Sequence, residues 1–221
     1  MNNKNYVLLG PPGSGKSTQA EVLRKTLSLR HIDVGSELRA AAEEETALGR
    51  EINEIINRRK ELVPDSIVGA VLKKVLSTLP SEQGVLIDGA PRRVSQIDEV
   101  REALGHSGRT LAGVIFIELS EADSIDRISR RFLCFGCRQP YIFESSEEAL
   151  KSICSICGGK IGQRKDDTPE GIHKRFQVFQ EETRPVIEKF ESEGLLFRVS
   201  GNQTAEKTSE EIFQKIGGSD S

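Results

Sequence analysis

No apolar run in this sequence approaches the roughly 20 residues of a membrane span, so no membrane partner is expected. The opening decapeptide MNNKNYVLLG holds one short strand's worth of apolar residues rather than a signal-peptide core. A basic excess is missing too. Lys and Arg total 31 against 34 Asp and Glu, a formal charge of −3, which argues against a nucleic-acid binder. There are no internal repeats and no low-complexity segment. Cysteine is absent except for four residues, all between Cys134 and Cys157. The three histidines, His31, His106 and His173, have no ligand spacing to one another, and no catalytic role is expected of them. What remains is a charged, globular, cytoplasmic chain of 221 residues, long enough for one domain with a real core and a small inserted module.

Strand and helix signals alternate along the chain. YVLLG, HIDVG, VLIDG, AGVIFIEL and LLFRVS read as strands. Helices are expected from Ser17 to Leu27, then over SELRAAAEEETALG and REINEIINRRK with a division near Gly49. Asp65 is a candidate cap for a helix striped by Ile67, Val71, Val75 and Leu79. Another helix runs from Ser95 to Leu104. Ser120 caps one carrying Ile125, Ile128 and Phe132. Thr168 opens one with Pro169 at its first position, which Pro185 should end or kink near Arg184. Ile212, Phe213 and Ile216 mark the last, and GGSDS reads as a loose tail. The alternation predicts an α/β fold: a doubly wound, five-stranded parallel sheet with helices on both faces. The segment from Cys134 to about Gln163 breaks the pattern. It has too little apolar content for a sheet layer and reads as a projecting insertion.

GPPGSGKS, Gly10 to Ser17, fits G-x-x-x-x-G-K-[ST] between a strand and a helix. Glycines let the backbone wrap a phosphate with its N–H groups inward, and the helix adds the positive end of its dipole. Lys16 brings a point charge to the β- and γ-phosphates. Asp88 ends the VLIDG strand, where a carboxylate can hold Mg²⁺ through its waters or simply cap a turn. Transfer between two anionic substrates demands cations, and Arg39, Arg92, Arg127, Arg131, Arg164 and Arg175 are the candidates.

The contexts of those arginines are specific. GPPGSGKSTQA, VGSELRAA, ELVPDSIV, LIDGAPR with Gln96 four residues on, DRISRR, and RKDDTPE with Arg175 resemble the adenylate kinase family, in its order and spacing from about Tyr6 to Gly201. The closest likeness is to the bacterial long-lid, zinc-binding form. The resemblance implies a P-loop NTPase-like core (1–33, 64–129 and 168–221), a helical NMP-binding flap (34–63) and an inserted zinc-clipped lid (130–167). It implies Mg²⁺-dependent transfer, ATP + AMP ⇌ 2 ADP, by a monomer whose partners are the nucleotides. Gly13, Ser14, Gly15, Lys16, Ser17 and Thr18 would bind ATP phosphates, and Arg131, Pro140, Tyr141 and Gln203 would line the ATP site. The AMP site would draw on Val34, Arg39, Glu61, Leu62, Val63, Gly89, Ala90, Pro91, Arg92, Gln96, Arg164 and Arg175. Gln96 looks like the glutamine that reads the adenine edge. Lys16, Arg92, Arg127, Arg131, Arg164 and Arg175 would serve the transferring phosphoryl group, Asp88 and Ser17 the Mg²⁺ ion, and Asp166 and Asp167 lid closure.

Four positions depart from that pattern. Val34 stands where the family commonly has threonine, Ser36 for an aspartate, Ala90 for the phenylalanine of DGFPR, and Ser17 for the second glycine of GKGT. The resemblance places the first three in or next to the AMP pocket, so a UMP/CMP kinase or a GTP-using AMP kinase stays open.

Cys134, Cys137, Cys154 and Cys157 form two C-x₂-C pairs separated by 16 residues. In a cytosolic chain this reads as a closed, structural Zn²⁺ site, with disulfides or free thiols the alternative and iron or cobalt able to occupy the same thiolates. A metal there would stiffen a segment too small and polar to pack by itself. A remoter reading makes the P-loop a switch and the cysteine knuckle a grip on RNA or protein. Residues 130–167 carry seven Lys/Arg and five Asp/Glu, a net of only +2, which gives little for such a grip.

Overall fold

The computed structural model describes residues 4–59, 63–137, 140–143, 145–163 and 167–218. Glu61, Leu62, Arg164, Asp166 and the tail 219–221 therefore lie outside the described residues. The first strand, β1 (Asn5–Leu9), is buried throughout. Its side chains alternate between two apolar clusters: Val7 and Leu9 join one, Tyr6 and Leu8 the other. That alternation is the period of two expected of a strand covered on both faces.

The chain continues through α1 (Lys16–Leu27), β2 (Arg30–Asp33), α2 (Val34–Ala42), α3 (Ala47–Asn53) and a π-helical turn, Glu54–Arg59. Next come α4 (Asp65–Ser77), β3 (Val85–Asp88), α5 (Gln96–His106), β4 (Leu111–Glu118) and α6 (Glu121–Ser129). A small unit follows, with β5 (Arg131–Cys134), β6 (Pro140–Ile142), α7 (Ser146–Lys151) and β7 (Ile161–Gly162). The chain closes with α8 (Pro169–Val178), a second π-helical turn (Phe179–Thr183), α9 (Arg184–Ser192), β8 (Leu196–Ser200) and α10 (Ala205–Gly217).

Five parallel strands form the main sheet in the order β2-β3-β1-β4-β8. Apolar residues of α4, α5 and α9 cover one face, and those of α1 and α10 the other. The crossover after β1 runs outward past β3, while the one after β3 runs the opposite way to β4. The reversal opens a crevice at the carboxyl ends of β1 and β3, the switch point where ligands of such sheets bind. Leu8 pairs with Asp88, and Asp88 with Asp33, so three strand ends meet there.

Several sequence expectations fail locally. The helix break falls at 43–46, where Thr46 Oγ1 accepts from Gly49 N–H, and Gly49 lies inside α3. A Cβ at Gly49 would sit 2.3 Å from the Glu44 carbonyl oxygen, so its glycine serves helix packing rather than termination. Asp65 does not cap α4. Pro64 occupies that position, and the carboxylate turns to Gln96, Ser95 and Arg93. Phe132 is not on a helix stripe but on β5, edge-on to Phe143 at 5.5 Å. Pro185, by contrast, interrupts its helix near Arg184 as expected: α8 gives way to a π-helical turn, with Arg184 N–H donating to Phe179 O, and α9 starts at Arg184 with the proline in its first turn. The wide turn gives the proline ring room without an N–H to supply. Ser120, Thr168 and Pro169 stand at their helix starts as the sequence predicts.

The cysteine-rich segment does form a sheet. β5 pairs antiparallel with both β6 and β7 around Phe132, Cys134, Ala149, Cys154 and Ile161. Two of those five buried residues are cysteines, so the apolar content is as poor as expected and sulfur completes the cluster.

Candidate active site

The loop after β1 turns at Gly13 (φ 76°) and Gly15 (φ 93°), both left-handed. Side chains are strained there, and a Cβ on Gly13 would also come 3.1 Å from Ile128. Ser124, fully buried on α6, donates to the Pro12 carbonyl at 2.6 Å and pins the loop. No side chain caps α1, whose first N–H groups are left for an anion. Lys16 folds back, donating to the carbonyls of Gly10 (2.7 Å) and Pro11 (2.9 Å). Burial pushes its amine down to about 8. The Asp88 carboxylate acts in the opposite sense, while Arg92 and Arg131 push it down further.

The Lys16 amine thus feels groups from three separate segments. Asp88 ends β3, buried, with His31 Nε2 3.5 Å from its Oδ2. Arg92 follows on the next loop, its Nε donating to Gly89 O at 3.1 Å. Gly89 has φ 90°, which lets backbone pass close to Val34 and Gly35. Burial lowers the Arg92 pKa, Asp88 and Asp33 oppose that, and Arg39 adds to it. Thr183, buried in the second π-helical turn, donates to Arg92 O at 3.1 Å and steadies the loop.

Arg131 and Arg175 converge on one carboxylate. Asp167, its side chain 1% exposed, accepts from Arg131 Nη2 at 3.0 and 2.9 Å and from Arg175 Nη2 at 2.7 Å. Arg127 donates to Gly201 O at 2.7 Å. A Cβ on Gly201 would lie 3.4 Å from the Ser14 carbonyl, so this arginine also sits beside the loop. Among the described residues, four buried polar side-chain atoms lack hydrogen-bond partners: Ser14 Oγ, His31 Nε2, Arg93 Nε and Arg131 Nε. Such atoms are rare in folded proteins, and Ser14, His31 and Arg131 belong to the groups gathered around Lys16 and Asp88.

That cavity, of about 170 Å³, lies between β3's end and α2. Val34, Leu38, Ile56, Val63 and Val68 form its apolar wall. Arg39, Arg92 and Gln96 supply the polar groups. Arg39 is held by a relay that sequence reasoning missed. Its Nη2 donates to Ser36 Oγ (2.9 Å), which donates to Asp33 Oδ2 (2.7 Å), while Asp33 Oδ1 accepts Ser36 N–H (3.1 Å) and so caps α2. The carboxylate in this relay comes from Asp33, three residues before Ser36.

The sequence model of the adenylate kinase family matches residues 8–195. The adenylate kinase of Thermosipho melanesiensis is 35% identical over 96% of this chain and 99% of its own length. That of Dehalococcoides mccartyi is 37% identical over 96% of this chain and 97% of its own. The Geobacillus enzyme of the same name is 35% identical over 97% and 99%. The chain belongs to the adenylate kinase family. It is therefore a phosphotransferase.

The residues that the resemblance assigns to the ATP site divide on this adenylate kinase scaffold. Gly13, Ser14 and Gly15 form the β1–α1 turn, and Lys16, Ser17 and Thr18 the first turn of α1. Tyr141 instead aims its hydroxyl at sulfur, 3.2 Å from Cys154 Sγ, and accepts from Ser155 N–H at 3.0 Å. Pro140 is exposed on β6, and Gln203 Nε2 donates to Ser200 O and Glu211 Oε2. Val63, Gly89, Ala90 and Pro91 all sit at or next to the cavity wall and the Arg92 loop.

The four cysteine sulfurs lie within 4.8 Å of one another, positioned to hold a metal ion. Cys134–Cys157 and Cys137–Cys154 are each 3.4 Å apart. Metal–sulfur bonds near 2.3 Å in a tetrahedron place sulfurs about 3.8 Å apart, so the cluster fits. A Cβ on Gly159 would meet Cys134 Sγ at 2.9 Å, so glycine keeps the cradle open. The Tyr141 hydroxyl, the largest influence, holds the Cys154 thiol down at about 6. Backbone N–H groups lower Cys134, that of Cys137 first.

Asp33, Asp65, Thr183 and Ser124 were not recognisable in advance. Each acts through a partner distant in sequence or through a local turn that looks like any other.

Proposed function

We propose that this chain catalyses ATP + AMP ⇌ 2 ADP, with residues 34–63 as the AMP-binding flap and 130–167 as a zinc-clipped lid on a core of 1–33, 64–129 and 168–221. The observation that carries the reading is the convergence on Lys16 of Asp88, Arg92 and Arg131, beside a cavity bearing Arg39 and Gln96. Two phosphate sites side by side suit transfer rather than hydrolysis. Gly13 to Thr18 wrap the donor phosphates, and Arg39 and Arg92 hold the acceptor phosphate. Arg127, Arg131, Arg175 and Arg164 spread positive charge over the moving group, with Asp167 orienting two of them. The protein's part is positioning and electrostatic stabilisation, and exclusion of water when the lid closes. Asp88 and Ser17 present hard oxygen donors that would hold Mg²⁺, which would supply positive charge against the donor phosphates. The thiolate set suits Zn²⁺ with no open position, a structural role. The lid's own apolar cluster, separate from those of the main sheet, supports its independence as a unit. We read the protein as a cytoplasmic monomer without nucleic-acid partners.

Side-by-side ADP formation from Mg-ATP with AMP, UMP, CMP, GMP or no acceptor tests this. AMP is the expected acceptor. The buried, apolar Val34 at the cavity favours the second reading, another monophosphate, and preference for UMP or CMP would establish it. Equal ADP release without acceptor would overturn transfer.

The pH dependence follows from Lys16. Its ammonium form is the one that binds phosphate, and it is lost as pH rises through about 8. So kcat/KM for ATP should fall above about pH 8, while kcat, measured with anionic phosphates bound and the pKa raised, should fall only at higher pH. A kcat/KM profile flat well beyond that point would exclude Lys16 as the titrating group.

A further inference from the structure

Gln96 faces the cavity with an amide, and an amide has no fixed direction of its own. Turned one way it offers N–H beside oxygen; turned by half a rotation it offers the reverse. Adenine presents an accepting ring N1 beside a donating 6-amino group. A 6-oxopurine such as hypoxanthine presents a donating N1–H beside an accepting oxygen. An amide free to turn matches either base with two hydrogen bonds.

In this chain the amide is gripped from both sides. The Arg92 backbone N–H, which can only donate, is 2.7 Å from Gln96 Oε1. The Asp65 carboxylate, which when ionised can only accept, is 2.8 Å from Gln96 Nε2. Reversal would set NH₂ against N–H and oxygen against carboxylate, two repulsive contacts for a side chain only 4% exposed. Asp65 is itself held. Its Oδ2 accepts from Ser95 Oγ at 2.5 Å, and its Oδ1 pairs with Arg93 Nη2 at 3.1 Å. That same Arg93 nitrogen donates to Val63 O at 3.1 Å, on the cavity wall.

We propose that Asp65 is a positioning residue that fixes the direction of the Gln96 amide and thereby makes the cavity select a 6-aminopurine over a 6-oxopurine monophosphate. The inference rests on the AMP reading above. The amide's remaining N–H and the second lone pair of Oε1 are what the cavity is offered, a pattern matched to adenine. Hypoxanthine in the same place meets two mismatches, and polar mismatches in a dry site discriminate far better than missing bulk.

The test measures kcat and KM for AMP and for inosine monophosphate at saturating ATP, on the full chain and its Asp65→Asn and Ser95→Ala variants. Asparagine keeps the shape of Asp65 but can turn either its oxygen or its NH₂ to Gln96, so this side of the grip no longer dictates one direction. The expected result is a fall of about ten- to hundredfold in the AMP-to-IMP ratio of kcat/KM for Asp65→Asn, mostly in KM. The ATP KM should stay unchanged. Ser95→Ala, which frees the carboxylate to turn, should move the ratio the same way by less, and carries the test if Asp65→Asn does not fold. A purely structural role for Asp65 would depress both acceptors alike. An unchanged ratio in the folded variant therefore overturns the proposal. Failure of the underlying AMP reading looks different: the unmodified chain itself would show no preference for AMP.

Discussion

Replacing Lys16 by methionine should reduce ADP formation by about a hundred- to thousandfold with no loss of thermal stability. A lost, preorganised charge at a developing oxyanion costs about 2.7–4 kcal/mol of transition-state stabilisation. Against this stand the two hydrogen bonds from the charged Nζ to Gly10 and Pro11, about 1.5–3 kcal/mol each before the desolvation of the ammonium is counted. Those carbonyls can turn to water, and methionine retains the buried stem. The native state also bears a cost that the substitution removes. Burial lowers the Lys16 pKa from 10.5 to about 8, so the ammonium is less favourable folded than unfolded. Below pH 8 that cost is present in full, and it is relieved as pH rises from about 8 to 10.5. At neutral pH the variant should thus melt at or slightly above the temperature of the unmodified chain. Coupled ADP assays and thermal unfolding check both halves. Turnover within tenfold of normal would remove the P-loop lysine from the mechanism.

Cys154→Ser should have the largest effect on stability. The three-stranded sheet of β5, β6 and β7 has five buried residues at its centre, and Cys134 and Cys154 are two of them. Serine removes one thiolate of four and the sulfur that receives the Tyr141 hydroxyl. A structural metal contributes folding free energy directly, so its loss leaves this unit without an adequate core. We expect bound zinc to be lost and unfolding to begin about 10 °C lower, with the lid melting ahead of the main sheet. Activity should persist when cold and collapse on warming. The same melting curve with and without a strong chelator would mean that no metal supports the lid.

Chemistry confined to contiguous residues was readable in advance. GPPGSGKS names its own loop because close wrapping of phosphate needs glycines at set spacing, and the left-handed Gly13 and Gly15 stand where that demands. Alternating apolar strands between amphipathic helices called for a covered parallel sheet. Two C-x₂-C pairs called for a metal cluster, and the sulfurs meet. Ser120 and Thr168 were legible because a cap acts within one turn.

Misreadings arose where a distant partner decided the outcome. Gly49 looked like a helix stop because its packing against Glu44 and Ala41 carbonyls is invisible in a local pattern. Asp65 looked like a cap, since nothing near it in sequence announces Gln96, 31 residues away. The sequence by itself determined the fold class, the glycine-rich loop between β1 and α1 and the four-cysteine cluster, all of which depend on spacing along a few residues. Tertiary structure alone decided which carboxylates hold which arginines: Asp167 with Arg131 and Arg175, Asp33 through Ser36 with Arg39. Ion pairing acts through space, over a few ångströms, and the chain must fold before those distances exist.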